Sequence, residues 1–290
     1  MSTAEPLTTY LELRESTAAG EEGAGLSHTS AGLVLLHVLE IAPLGEPTGG
    51  LTLLHDAGDH GTRYLAAARI LAEGGWAVAL PDMRGHGRSE GERGHSAGLK
   101  EVLRDVQAVQ DHLAYRLPDA RKVLIGQGLG ALYALAYAAE HPDQAAALVL
   151  LAPLWQPRFE LPEAAGGLKR LFKRVGPTTP GRTGFDAERL TRDLAEREAW
   201  KKDELVHDVI TLGAGTQAAA IARDYLPRVA ELGLPVLVVH GASDAIADPA
   251  PSRALGPPVE VRIVEGGAHD LLHDFGAAEL ASAIRDWLRV

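Results

Sequence analysis

The feature that most constrains this chain is a regular alternation of short apolar runs with longer helical patterns. Leu33–Ile41, Leu51–His55, Trp76–Pro81, Lys122–Gly126, Ala147–Leu151, Pro235–His240 and Val259–Val264 have the length and Gly, Pro or Asp boundaries of buried strands. Thr62–Glu73, Leu99–Tyr115, Leu129–Glu140 and Phe275–Leu288 have helical periodicity. Strands that alternate with helices predict an α/β fold: a mostly parallel sheet with helices on both faces. Ligands then gather beyond the carboxyl ends of the strands.

The alternation stops between Leu154 and about Ala214, where Pro, Gly and charged residues replace the strand signals. This predicts a helical cap over residues 154–214, inserted into a core made of residues 1–153 and 215–290. Within Leu154–Lys202, 11 Lys and Arg face 7 Asp and Glu, a local charge of +4 in a chain of net charge −11. Solvated helix faces are the common reason for such a run, and contact with a lipid surface or an anionic substrate is the other. The overall acidity argues against a nucleic-acid partner. No run approaches the ~20 apolar residues of a membrane span, and Met1–Gly20 lacks a basic start and an apolar centre, so the expected location is cytoplasmic. Without cysteine there is no disulfide, thiolate metal site or thiol nucleophile.

Lys122–Gly126 runs into Gly126-Gln127-Gly128-Leu129-Gly130 and then an Ala-rich helix. A strand, a tight glycine turn and a helix form the setting of a nucleophile elbow, G-x-S-x-G, whose central residue projects above the sheet at positive φ. Here the central residue is Gly128.

Several segments resemble the monoacylglycerol lipase and lysophospholipase-like branch of the α/β-hydrolases. Pro81–His95 (PDMRGHGRSEGERGH) is similar to that branch's D-x-R-G-H-G-x-S-x-G-x-R-G-H segment. His55-Asp56-Ala57-Gly58-Asp59-His60 followed by Arg63-Tyr64 resembles its oxyanion segment, and Asp203-Glu204-Leu205-Val206-His207 resembles a D-P-L-V-H segment of the family cap. His240-Gly241-Ala242-Ser243-Asp244 and Gly266-Gly267-Ala268-His269 stand where the family has its later triad members. The resemblance runs from about Leu26 to the C-terminus and implies an α/β-hydrolase fold with an eight-stranded sheet.

The resemblance also implies an ester hydrolase acting on monoacylglycerol-like or lysophospholipid-like substrates, without a cofactor. Its nucleophile position is Gly128, with Asp244 orienting His269, and Ala57 and Leu129 donating N–H groups to the oxyanion; His55, Asp56 and Gln127 border the site. Two positions depart from the pattern. Gly128 has no oxygen with which to attack a carbonyl, and loss of the nucleophile alone costs about 10⁶ in kcat in serine proteases. Asp56 stands where the family has Gly, and a carboxylate there opposes oxyanion charge unless its side chain turns away. Two changes in different segments fit divergence of the chain.

Three functions follow from these residues. One is a serine-ester-hydrolase scaffold in which Gly128→Ser lowers the melting temperature and revives turnover. The second is a non-catalytic descendant that keeps the pocket for an acyl ligand, another apolar ligand or a partner. The third is water activation by His269 and Asp244 without a serine. The spacings His269-x-x-x-His273 and His55-x-x-x-Asp59-His60 resemble metal motifs, but the first falls at the triad histidine and the second lacks its middle His, so no metal is expected. Apolar cap residues, among them Trp155, Phe159, Leu161, Leu168, Phe172 and Trp200, suit either an acyl tunnel or simple packing.

Overall fold

The computed structural model describes residues 3–14, 32–160 and 176–289. Its main sheet has eight strands: β1 (Leu7–Arg14), β2 (Leu33–Ile41), β3 (Gly49–Leu54), β4 (Trp76–Pro81), β5 (Arg121–Gln127), β6 (Ala147–Leu151), β9 (Val236–Gly241) and β10 (Glu260–Val264). Their order is β1-β2-β4-β3-β5-β6-β9-β10. From β4 to β10 neighbours are parallel, whereas β1 and β2 are joined antiparallel at the edge.

The central strands are mostly apolar over their buried middles because both faces are covered. Along β5, Leu124 points into one core, with Leu148 and Leu150 of β6 and Val236 and Val238 of β9. Val123 and Ile125 point into the other, with Val149, Leu237 and Val239. This is the two-residue alternation of a pleated strand. The first core is closed by α3 (Leu129–Glu140) and α6 (Leu212–Tyr225), with Val102 and Val106 of α2 (Leu99–Arg116). The second is closed by α1 (Leu65–Ala72) and α8 (Ala277–Trp287).

Between β6 and β9 the chain leaves the sheet. This excursion carries β7 (Pro180–Arg182), α4 (Ala187–Leu190), α5 (Leu194–Lys202), β8 (Val209–Thr211), which pairs with β7, and then α6. Side-chain caps start all three helices: Asp186 accepts from the Arg189 amide, Asp193 from those of Ala195 and Glu196, and Thr211 from that of Ala214. The helix α7 (Ala250–Arg253) follows β9. Leu161, Leu168, Leu171, Phe172 and Val175, with Lys169, Arg170, Lys173 and Arg174, lie outside the described residues. Among the described basic residues of the excursion, Arg158 pairs with Asp248, Arg182 with Asp208, Arg192 with Asp274 and Lys201 with Glu188. Their charge is thus largely answered within the molecule.

Three differences from the sequence pattern have simple causes. The helix expected from Thr62 opens with a 3₁₀ turn, Gly61–Tyr64, before α1. The last helix begins at Ala277 and not Phe275, because Gly276 stands before it in the left-handed region at φ 82°. The edge strand β1 was not anticipated: Thr9, Leu11 and Leu13 form a face that is only half-buried, Leu11 packing on Val38 and Leu113, while Leu7 and Tyr10 are exposed. Among the described residues no helix is long and apolar enough to cross a membrane.

Candidate active site

The sequence-predicted residues converge at the carboxyl ends of β3, β5 and β9 and on the loop after β10. At the tip of β5 the chain turns sharply into α3 through Gly128, at φ 54° and ψ −112°. The turn is fixed by two backbone contacts: the Gly128 amide donates to the Leu151 carbonyl at 2.9 Å, and the Leu154 amide donates to the Gly128 carbonyl at 3.4 Å. Gly130, in the first turn of α3, lies so close to the carbonyls of Leu54 and His55 that no Cβ fits. The helix therefore packs directly on the end of β3.

The loop leaving β3 is held by His55. The Met83 amide donates to its Nε2 at 2.8 Å, so Nδ1 carries the proton and donates to the Asp56 carbonyl at 2.7 Å. Burial lowers the pKa of this imidazole and favours the neutral form that this pattern requires. The excursion grips the same loop, through the His207 amide on the Gly58 carbonyl at 2.9 Å and His60 Nε2 against Asp203 at 2.8 Å. The Asp203–His207 segment thus docks on the loop after β3 at both ends.

Asp244 follows β9 and is fully buried. Its Oδ1 accepts from the amides of Ile246 and Ala247, at 2.7 and 2.9 Å. Its Oδ2 faces two imidazoles, His269 Nδ1 at 2.7 Å and His240 Nε2 at 3.0 Å. Burial opposes ionisation, but His269 charge and these donors outweigh it and hold the carboxyl well below its ordinary range. His269 is also fully buried, and the edge of Phe185 approaches its ring with centroids 6.0 Å apart. Gln127 Nε2 steadies the same residue by donating to the His269 carbonyl at 2.9 Å.

Ala57 and Leu129 do present their amides to one point. That point is already filled: Asp56 Oδ1 accepts from both, each at 2.7 Å. Asp56 Oδ2 lies 2.8 Å from His269 Nε2. The carboxylate has not turned away from the site; it sits within it, at the N-terminus of α3, where the helix dipole favours an anion. A Cβ built on Gly128 falls on the Oδ1, Cγ and Oδ2 atoms of Asp56. The two departures read separately from the sequence are therefore in contact.

With a carboxylate on each ring nitrogen, His269 is held as an imidazolium. Burial works against the charge, yet Asp244 and Asp56 together raise the pKa to about 10. His273, from the metal-like spacing, is occupied too: its Nδ1 meets Asp270 at 2.8 Å and its Nε2 donates to the Arg63 carbonyl at 2.8 Å. Among the described residues no cluster of three His, Cys, Asp or Glu is arranged to hold a metal ion.

Some site residues were missed by sequence reasoning. His240 is the second partner of Asp244, and its Nδ1 is tied to Ser252 at 2.8 Å. It precedes Asp244 by four residues in a quoted motif, but nothing local distinguishes it from an ordinary strand-end histidine. Arg158 donates to the Asp244 carbonyl at 2.8 Å, and Arg189 to the Ala245 carbonyl at 2.6 Å. Both reach the site from the excursion, across 86 and 56 residues of chain.

Comparison with known proteins agrees with this architecture. The family model described as serine aminopeptidase, S33, matches residues 45–275. The chain is 26% identical over 252 residues to a monoacylglycerol lipase of Mycolicibacterium smegmatis, covering 85% of this chain and 90% of the relative. It is 32% identical over 215 residues to the monoglyceride lipase of Mus musculus, covering 71% and 68%. A larger Dictyostelium discoideum protein, an uncharacterized abhydrolase domain-containing protein, is matched at 26% identity over 27% of its length. The crystal structure of a Paleococcus ferrophilus monoacylglycerol lipase superimposes with a TM-score of 0.74 at 25% identity, covering 87% of this chain and 98% of that one. A strand-turn-helix elbow, a buried Asp–His pair and paired amides at the sheet's carboxyl end thus accompany sequence similarity along most of the chain, which belongs to the serine aminopeptidase S33 family of α/β-hydrolases, in its monoacylglycerol-lipase-like branch.

Proposed function

We propose that this chain carries the scaffold of a carboxylic-ester hydrolase for monoacylglycerol-like esters, with its acyl-transfer step closed at residues 128 and 56. The observation that carries this reading is the convergence of the Asp244–His269 pair and the amides of Ala57 and Leu129 on the tip of the elbow. In the open form of such a site a hydroxyl at position 128 attacks the ester carbonyl. His269 takes its proton and passes it to the leaving alcohol, Asp244 orients and stabilises the imidazolium, and the two amides receive the oxyanion. In this chain the first group is missing, the amides are filled, and His269 has no free nitrogen with which to act as a base. The same lack of a free nitrogen argues against water activation without a serine.

The reading is tested with p-nitrophenyl butyrate and a medium-chain monoacylglycerol. The chain itself is expected to hydrolyse neither faster than its His269→Ala variant. The double variant Asp56→Gly/Gly128→Ser is expected to show turnover that disappears when His269→Ala is added. A folded double variant that stays inert overturns the ester-hydrolase reading.

One observation favours a second role, binding of an acyl ligand. A groove of about 800 Å³ beside the elbow is lined by Leu154, Trp155, Phe159, Ala222, Leu226 and Pro251 among others. It borders the turn directly, through the Leu154 amide on the Gly128 carbonyl. Its walls mix these apolar side chains with Gln156, Glu160 and Arg223, a lining suited to an acyl chain that carries a polar head. Mass spectrometry of the protein released under native conditions is expected to find a fatty acid or monoacylglycerol; recovery of the bare chain alone counts against this role.

A further inference from the structure

We propose that Asp56 is a tethered ligand of the oxyanion site, so that positions 56 and 128 form an exclusive pair: the site holds a carboxylate from 56 or a side chain at 128, never both. The corollary is a new binding site. With the tether removed, the two amides and His269 become a receptor for a small free carboxylate.

The coordination of Asp56 has the features of a bound anion. One oxygen takes two directed N–H bonds from Ala57 and Leu129, and the other takes a charge-assisted bond from His269. The group is buried, with 5% of the residue exposed, and lies at the start of a twelve-residue helix. Two of its three donors come from residues 73 and 213 positions away, so the site exists only in the folded chain. The short Asp side chain has only two torsions, and both oxygens are pinned, so it has little room to retreat.

The exclusion follows from shape. A Cβ at Gly128 coincides with the carboxylate itself and not with the end of a mobile side chain. Gly128 also stands at positive φ, where an L residue is strained before any contact is counted. The missing hydroxyl and the added carboxylate are therefore one coupled change. Undoing the first alone creates a clash, whereas undoing the second alone leaves His269 Nε2 and the two amides without an acceptor while Asp244 still holds Nδ1.

This deepens the ester-hydrolase reading by naming what occupies its site, and rests on that reading only for the name oxyanion. It is tested by thermal unfolding of the native chain, Asp56→Gly, Gly128→Ser and the double variant, with sodium formate against equal sodium chloride. Formate is expected to raise the melting temperature of Asp56→Gly with the logarithm of its concentration above Kd, by roughly 3–5 °C at about ten times Kd, and to leave the native chain unmoved. Asp56→Gly is expected to lower the midpoint when made alone and to raise it when added to Gly128→Ser.

Equal responses of native and Asp56→Gly to formate, or additive midpoints across the four proteins, overturn the proposal. If Asp56→Gly folds poorly, formate in the refolding buffer is expected to restore its yield, and a yield indifferent to formate overturns the proposal equally. The two readings fail separately. An inert double variant that shows the sign reversal and formate binding removes only the ester-hydrolase reading. An active double variant with additive midpoints removes only the tethered ligand.

Discussion

Asp56 Oδ2 and His269 Nε2 lie 2.8 Å apart although 213 residues separate them in the chain. Asp56 adds to Asp244 in favouring the charged imidazole, and its other oxygen fills the two amides beside it. It completes a buried row of Asp56, His269 and Asp244 in which one cation is shared by two carboxylates.

Removing one of those charges should release the proton. Asp56→Asn keeps the shape of the side chain and leaves Asp244 as the single anion beside the ring. The His269 pKa is then expected to fall below about 10, because a nearby opposite charge favours the ionised form. Titration of the imidazole resonances by NMR checks this. An unchanged value means that Asp244 alone holds the proton.

Stability should be lost on both sides of pH 6.5. His269 has a raised folded pKa, so its contribution is complete below 6.5 and is lost as pH rises toward about 10. His207 behaves oppositely. Burial, then Arg93 and His55, lower it to about 4, so the unfolded chain takes up a proton first and stability falls between pH 6.5 and 4. His86 stacks on His207 at 4.9 Å and lies 5.0 Å from His55, and both neighbours of His207 in this row are also lowered, chiefly by burial. Melting temperatures at pH 5, 6.5 and 8.5 should therefore peak at the middle value, and His207→Phe should flatten the acid side.

His240 should matter more to stability than its place outside the chemistry suggests. It is fully buried between Asp244 and Ser252. His240→Ala leaves both partners short of a buried hydrogen bond and opens a cavity, at a cost of about 2–4 kcal/mol. Ser252→Ala, which removes one hydroxyl, should cost about 1 kcal/mol. Urea denaturation of the two variants orders them, and equal midpoints would show that the pair is not a support for Asp244.

The loop that carries His269 should depend on Asp274. That carboxylate accepts the Ala268 amide at 2.9 Å and the Arg192 amide at 2.9 Å, and pairs with the Arg192 guanidinium at 2.7 Å. Asp274→Ala strands one buried and one half-buried donor and is expected to cost about 2–3 kcal/mol. Hydrogen exchange should quicken at Ala268 and His269 while β5 and β6 stay protected. Protection that is unchanged at Ala268 would place the restraint elsewhere.

What the sequence by itself determined is the frame. The apolar runs of β5, β6 and β9 are legible because strands covered on both faces are apolar over their centres, and the turn Gly126–Gly130 is legible because Gly126 and Gly130 leave no room for a Cβ and Gly128 takes a positive φ. The order of the elbow, Asp244 and His269 is implied by the resemblance of their motifs, each of which follows a strand end that is a local signal. The weakly patterned elements of the excursion, α5 and α6, and the edge strand β1 were not legible, since their burial depends on what packs against them.

Only the tertiary structure decided what the two departures mean. Read along the chain, Gly128 is a lost hydroxyl and Asp56 a misplaced charge, 72 positions apart. Where Asp56 points is not encoded next to it: its direction is set by an amide from α3 and an imidazole from the loop after β10. Those groups come together only when the sheet has formed. Long-range hydrogen bonding and the space left by a missing Cβ thus fix the state of the site, and neither has a signature in local sequence.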